Sequence, residues 1–358
     1  AEDLGDAGRM ASLSPAWILQ FAAPLFIFLM LYGSIAGERE AGTFRQVAAG
    51  GVRTQSFLTG KLAGAAASLG LVIVPALVIA LITATRGTQA VLPDATLRTT
   101  GLALAYLVFL IATGALAIGV SALYSEKRGA LLTLAAIWAA SFVLIPRLAA
   151  DAALTAYPEP PTSQLEEDLK TASNAYYKDT AYREAEDKRI FAEYGVDNVE
   201  DLPIDYGAFT LQSSEEHAHP LFEAVYARLD ELHDRQEGIL SAASAVSPAL
   251  ALNALSAGLS GTDRIHQNAF LDGAEAHRRK IIKQLNEDLM YNAGEAGYGY
   301  AAGEELWRSI EDFSYDPPSF LSLWSRYAQS AFTLLIFLIA ALAFSGWSVA
   351  RAQKRIAS

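Results

Sequence analysis

The sequence predicts an all-α polytopic membrane protein with a large helical domain outside the bilayer. Three observations predict it. Five long stretches carry no Asp, Glu, Lys or Arg: 10–37, 62–85, 99–125, 129–146 and 327–350. The Lys and Arg of the short connecting segments gather on one side of those stretches. An acidic block, 151–316, stands between the fourth stretch and the fifth, with 32 acidic and 13 basic residues against 7 and 14 in the rest of the chain.

A helix needs about 20 apolar residues to cross a bilayer core. A charge at its centre costs roughly 2.5–3.5 kcal/mol on insertion scales. Five charge-free runs in one chain of 358 residues are therefore read as five transmembrane helices rather than core helices of a soluble protein. The fourth, Gly129–Pro146, is the shortest and can continue past Arg147 through Leu148–Ala153. Residues 1–150 form the transmembrane region with a loop at 38–61. Residues 151–318 form the acidic helical domain, and 319–358 hold the last span and a basic tail.

Orientation follows from the basic residues, because Lys- and Arg-rich short loops stay in the cytoplasm. Arg39, Arg45, Arg53 and Lys61 lie between the first two runs, Lys127 and Arg128 between the third and fourth, and Arg351, Lys354 and Arg355 after the fifth. This places 38–61, 125–128 and 351–358 inside, and 1–16, 86–98 and the acidic domain outside, which means a bacterial inner membrane with a periplasmic domain. Trp17, Trp324, Tyr327 and Trp347 stand near run ends, as an interfacial aromatic belt requires. Five spans with the C-terminus inside leave Ala1 outside, so a sixth span is expected upstream. The first apolar run is too long for a signal peptide and has no basic lead.

Within the acidic block, Ser163 with Glu166 reads as a capping box opening a helix to about Tyr194, stopped by Gly195. Ser213 with Glu216 suggests a second start, and Asp263 a third. Val246–Gly261 is uncharged but too short to span; it lies on the membrane or packs under the helices. The glycines of 291–303 form a connector without the Gly-Lys-Ser/Thr ending of a phosphate loop.

Composition excludes several functions. With no Cys there are no disulfides, thiol nucleophiles or Cys-held metals. An acidic domain is a poor nucleic-acid binder. The five His, at 217, 219, 233, 266 and 277, lie in the acidic block; the His217-x-His219 spacing does not share a helix face, and no HExxH is present. They read as surface histidines, with no metal site assigned. The charge-free spans argue against a proton-coupled carrier, since intramembrane charges mark ion paths.

The segment with most mechanical content is Gly37–Lys61. Thr43 and Gln46 can cap a short helix, which Gly50-Gly51 breaks. Taken alone, it is either a surface helix built to receive force or a basic loop that only sets topology. The pattern Glu38-Arg39-Glu40, Gly42-Thr43 and Gly60-Lys61 after an apolar span resembles the first cytoplasmic loop of type-2 ABC exporter permeases. Ser125–Arg128 falls where that family has its second cytoplasmic loop. Ser247-Pro248, Asn253–Gly261 and Thr262-Asp263 resemble a subfamily with a large extracytoplasmic insert of unknown function.

The resemblance implies a permease dimer, with itself or a related subunit, served by two ATPase subunits that bind ATP and Mg. No GxxxxGK[ST] motif is present, so the chain carries no cofactor and is not itself the ATPase. It implies ATPase coupling through Glu38, Arg39, Glu40, Gly42, Thr43, Phe44, Arg45, Val47, Phe57, Gly60 and Lys61, and through Glu126, Lys127 and Arg128. Exposed ion pairs contribute about 0–1 kcal/mol each, so docking is expected to rest on burial of Phe44, Val47 and Phe57. The function implied is export of an amphipathic substrate. The alternative is a mechanotransmission subunit that relays ATPase motion to a periplasmic partner and moves no substrate.

Overall fold

The structure, a computed structural model, describes residues 15–67, 70 and 94–357. Among the described residues the regular elements are helical throughout, with no strand. In chain order they are α1 (Ala23–Leu31, entered through a π-helical turn Ile18–Ala22), α2 (Ala36–Glu40), α3 (Thr43–Ala49) and α4 (54–67). Next come α5 (Ala95–Leu123), α6 (Lys127–Trp138), a π-helical segment Ala139–Leu144, and α7 (Ile145–Ala156). They are followed by α8 (Thr162–Ser173), α9 (Ala175–Lys178), α10 (Thr180–Tyr194), α11 (Tyr206–Ser244) and α12 (Pro248–Ser260). The last are α13 (Arg264–Asn292), α14 (Glu304–Ser309) and α15 (Trp324–Ala357).

Four helical runs among the described residues are long and apolar enough to cross a membrane: Ile18–Glu40, Ala95–Leu123, Lys127–Ala156 and Trp324–Arg355. The chain is an all-α polytopic membrane protein. These runs correspond to the first, third, fourth and fifth charge-free stretches. The second, 62–85, enters α4 as far as residue 67; apart from residue 70 the rest lies outside the described residues, as do 1–14 and 86–93. The fourth continues past Arg147 to Ala156, where Arg147 and Asp151 pair at 3.4 Å on the exposed side.

The described chain divides into two compact units, one of 1–153, 237–267 and 317–358, the other of 154–236 and 268–316. α11 and α13 contribute residues to both. In the first unit α5 is the central rod, the most buried of the four candidate spans. Small residues let α15 lie close against it: Ala112, Ala115 and Ala341 form one buried contact layer. A Cβ on Gly119 would stand 2.6 Å from the Phe344 ring and 3.1 Å from the Ser345 Cα, so only glycine fits. α12 packs against both α5 and α15, burying Ala251, Leu252, Leu255 and Leu259. The uncharged Val246–Gly261 stretch therefore belongs with the spans: its apolar residues seek the same core as theirs.

The second unit has its own core, where Ile190, Ala208, Phe209 and Met290 are buried. Tyr206 donates to Asp187 at 2.7 Å, and Asp205 N–H to the Met290 carbonyl at 2.8 Å. Burial and that bond to a carboxylate push the Tyr206 hydroxyl up to about 12.

Local expectations fare unevenly. Gly195 closes α10 with φ 67°, and the Asp263 carboxylate caps α13 by accepting from His266 N–H at 3.1 Å. The helix expected from Ser163 to Tyr194 is three helices. The first starts at Thr162 without a side-chain cap, and the Asp179 side chain caps the last. Ser213 lies inside α11, whose start at Tyr206 is capped instead by Asp205, accepting from Ala208 N–H at 2.8 Å. Asp at the N-cap outcompetes a Ser seven residues into a helix that packing already favours.

Candidate functional site

Two loops meet at one end of the spans of the first unit and form a single platform. Glu38 Oε1 and Lys61 Nζ pair at 2.5 Å, closing the 38–61 segment on itself. The Arg39 guanidinium donates to the carbonyls of Ala122 at 3.1 Å and Tyr124 at 3.0 Å. These are acceptors that the end of α5 leaves open. Glu40 accepts from the Lys127 backbone N–H at 3.1 Å, at the start of α6. The Lys127 side chain lies along Gly37, where a Cβ would come within 2.9 Å of it.

Buried Ser121 on α5 completes the tie. Its Oγ accepts from Ile35 N–H at 3.1 Å and Ala36 N–H at 3.0 Å, and donates to the Tyr32 carbonyl at 2.7 Å. One hydroxyl thus satisfies the backbone groups freed where the first span breaks before α2. α4 is held to the last span as well: Thr54 Oγ1 donates to Gln353 Oε1 at 2.5 Å, and Gln353 Nε2 donates to the Val52 carbonyl at 3.3 Å.

Phe44 is fully buried, edge-on to Phe57 at 5.8 Å between centroids, and Lys61 Nζ lies 5.4 Å from the Phe57 ring centroid. This corrects the expectation that Phe44 offers apolar surface to a partner. Its ring is consumed inside the chain, where burying a Phe is worth about 1.5–3 kcal/mol, and it anchors α3 instead. Val47 and Phe57 are half-buried. The expected Thr43–Gln46 box takes another form: Thr43 Oγ1 donates to the Glu38 carbonyl at 3.2 Å, and Gln46 is exposed. Gly42 and Gly51 adopt φ of 76° and 70°, turning the chain into and out of α3. Gly60 lies within α4. Arg45, Glu126 and Arg128 are exposed and make no ion pair among the described residues, so they face outward from the platform.

At the other end of α5 stands Arg98, which the sequence alone places in the outer segment 86–98. Arg98 lies inside the helix, 3% exposed. It donates to the Gly258 carbonyl at 2.9 Å and the Pro318 carbonyl at 2.7 Å, meets His266 Nε2 at 3.2 Å, and lies 5.7 Å from the Phe320 ring centroid. A guanidinium has no lone pair to offer, so Nε2 accepts and the His266 proton sits on Nδ1. That proton points to Asp263 Oδ1 at 2.5 Å, and the Tyr327 hydroxyl donates to the other oxygen of Asp263. Burial pushes the Asp263 carboxyl up, but the bonds from Tyr327 and from the His266 ring and backbone outweigh it and hold it below the ordinary value. A buried charge costs several kcal/mol unless compensated; here carbonyls, an imidazole and, one step on, a carboxylate compensate it. Two earlier assignments change: Tyr327 is 5% exposed and belongs to this knot, not to the interfacial belt, and His266 is a core residue. Trp17, Trp324 and Trp347 are exposed as a belt requires.

Residues 149–316 match a family model described as a domain of unknown function, DUF3526. The match takes in all of the second unit and the 237–267 stretch of the first, including α12, Asp263 and His266. It falls short of half the chain and leaves the 38–61 platform outside it. No curated protein and no solved structure matches the chain.

Among the described residues no group of three or more His, Asp or Glu side chains is arranged to hold a metal ion. The His217 ring lies tilted against Tyr182, 4.2 Å between centroids, and His219 faces Glu215 at 3.5 Å.

Proposed function

We propose that the chain is the transmembrane permease subunit of an ATP-driven exporter in a bacterial inner membrane. ATP and Mg are bound by separate ATPase subunits that dock on the 38–61 and 125–128 loops, and a second permease subunit completes the dimer. The observation that carries the reading is the tying of both loops to the span ends. Glu38–Lys61, Arg39 to the end of α5, Glu40 to the start of α6 and Thr54–Gln353 join α2, α4, α5, α6 and α15 into one assembly. A push on α3 is passed to several spans together instead of being lost in a flexible loop. Arg45, Arg53 and Arg128 face outward from that assembly and supply the charged surface a partner would meet.

An amphipathic cargo is supported by a cavity of about 420 Å3 among α1, α5, α6 and α15, lined mainly by Phe28, Leu116, Ile137, Phe142, Ile336 and Phe337. The rest of the lining adds the hydroxyls of Thr113, Ser141 and Thr333 but no charged side chain, which suits an amphipathic molecule with an alkyl chain better than an ion.

The second reading, mechanotransmission without cargo, is favoured by α5 itself. One end is fixed to the loop platform through Ser121 and Ala122, the other to the Arg98–His266–Asp263–Tyr327 knot. A rod held at both ends suits relay of motion to a periplasmic partner.

Purifying the tagged chain from its host membrane tests both readings. An ATPase subunit should copurify at stoichiometric level, with ATP hydrolysis in the eluate. Bound lipid or peptide in the same complex favours export, and a periplasmic protein in its place favours transmission. Absence of any ATPase overturns both.

A further inference from the structure

An open, shallow surface lies at the end of the last span, formed by Trp347, Ala350, Arg351, Lys354 and Arg355. Its position is set by α15: residues 347, 350, 351, 354 and 355 are spaced by three and four and share one face. That face carries three cations and one large aromatic ring. Trp347 is 53% exposed, and the Arg351 guanidinium lies 5.3 Å from its ring centroid. None of Arg351, Lys354 and Arg355 has a described carboxylate within ion-pair distance, whereas Arg189, Arg235, Arg278, Arg279 and Arg308 each pair with a Glu on their own helix. Arg355 also feels the repulsion of Arg39, so a fourth cation lies near the same end. Like charges gathered without counter-ions store repulsion, which an anion would relieve. The stem of α15 is apolar and crosses the bilayer, so the anion within reach is the one fixed at the bilayer surface.

We infer that this face of α15 is a binding site for the phosphate headgroup of an anionic phospholipid. The Trp347 ring lies at headgroup level beside the glycerol region, as aromatic residues do at membrane interfaces. Arg351 is held against it, and Lys354 and Arg355 approach the phosphate from the next turn. Arg351 and Arg355 present forked donors that match phosphate oxygens two at a time. The site is independent of the permease reading, because it needs only the span and its basic face. The neighbouring Thr54–Gln353 bond, on the next residue of α15, places lipid occupancy beside the joint that holds α4.

The test uses the full chain in detergent micelles doped with phosphatidylglycerol or phosphatidylcholine, followed by native mass spectrometry of retained lipid. The wild type should retain phosphatidylglycerol over phosphatidylcholine by at least tenfold. The Arg351→Gln/Lys354→Gln/Arg355→Gln variant should lose that preference and retain the two lipids about equally. Arg147→Gln, at an exposed site elsewhere, should keep it. Millimolar inorganic phosphate should not displace the lipid; displacement would mean the site reads free phosphate and would overturn the lipid assignment. Should the triple variant fold poorly, brominated phosphatidylglycerol answers the same question. It should quench wild-type tryptophan fluorescence more than that of Trp347→Phe, and brominated phosphatidylcholine should not. Equal retention by wild type and triple variant, or equal quenching with and without Trp347, refutes the site. So does a triple variant that loses a copurifying protein but keeps its lipid.

Discussion

Glu38 and Lys61 meet at 2.5 Å across the loop that joins the first span to α4. Each is about a quarter exposed, and Lys61 also lies beside the Phe57 ring. The pair fixes the two ends of the loop, so that α3 moves with the spans. A partly exposed pair is worth little by itself, about 0–1 kcal/mol. Glu38→Gln should therefore shift the thermal midpoint by no more than a few degrees. It should nonetheless reduce substrate- or partner-stimulated ATP hydrolysis in the assembled complex several-fold. A large loss of stability with unchanged hydrolysis would make the pair structural only.

Arg98 gives the opposite balance. Removing it leaves the Gly258 and Pro318 carbonyls and the Asp263 carboxylate without their compensating charge. Breaking a buried charge network costs about 3–5 kcal/mol. Arg98→Met should lower the unfolding midpoint sharply in a thermal scan of the detergent-solubilised chain. Arg98→Lys should rescue little of it, because an ammonium cannot reach several acceptors in a fixed fork.

Gly258 sits where a Cβ would run into the Tyr327 ring. Gly258→Ala should force α12 away from α15 and weaken the bond from Tyr327 to Asp263. Overpacking of this kind costs about 1–3 kcal/mol. Limited proteolysis should then cut the segment between α12 and α13 faster than in the wild type. Equal cutting rates would contradict the packing described.

Tyr206 provides a pH prediction. Its hydroxyl is pushed from 10.0 up to about 12 by burial and by its bond to Asp187. A folded-state value raised above the unfolded one means the stabilisation is complete below about pH 10. It is lost as pH climbs through 12. Ultraviolet titration should show a late-ionising tyrosine fraction that is smaller by one residue in Tyr206→Phe, and that variant should lose about 1 kcal/mol near neutrality. An unchanged late fraction in Tyr206→Phe would refute the assignment.

Hydropathy made the spans legible, since a charge-free run of membrane length admits few other structures. The loop at 38–61 was legible through its glycines and charges, but the direction of Phe44 was not: whether an aromatic on a short surface helix faces in or out depends on which span ends lie beneath it. Arg98 was misread because it borders the charge-free run, where flank and first turn look alike; only its carbonyl and imidazole partners, 160 or more residues away, show it to be interior. The capping aspartates Asp179, Asp205 and Asp263 illustrate a local signal that holds. Ser163 is the second residue of α8 and Ser213 lies inside α11, so neither stands where an N-cap is needed.

The central claim is that the 38–61 platform carries force between an ATPase and the spans. Its most direct test is ATP hydrolysis by the purified complex carrying Arg45→Glu/Arg53→Glu, charge reversals on exposed side chains that leave Phe44, Glu38 and Lys61 in place. The account predicts that the permease still folds and inserts, while the ATPase either dissociates or loses at least tenfold of its permease-stimulated rate. A complex that keeps its ATPase and hydrolyses ATP at the wild-type rate would contradict it.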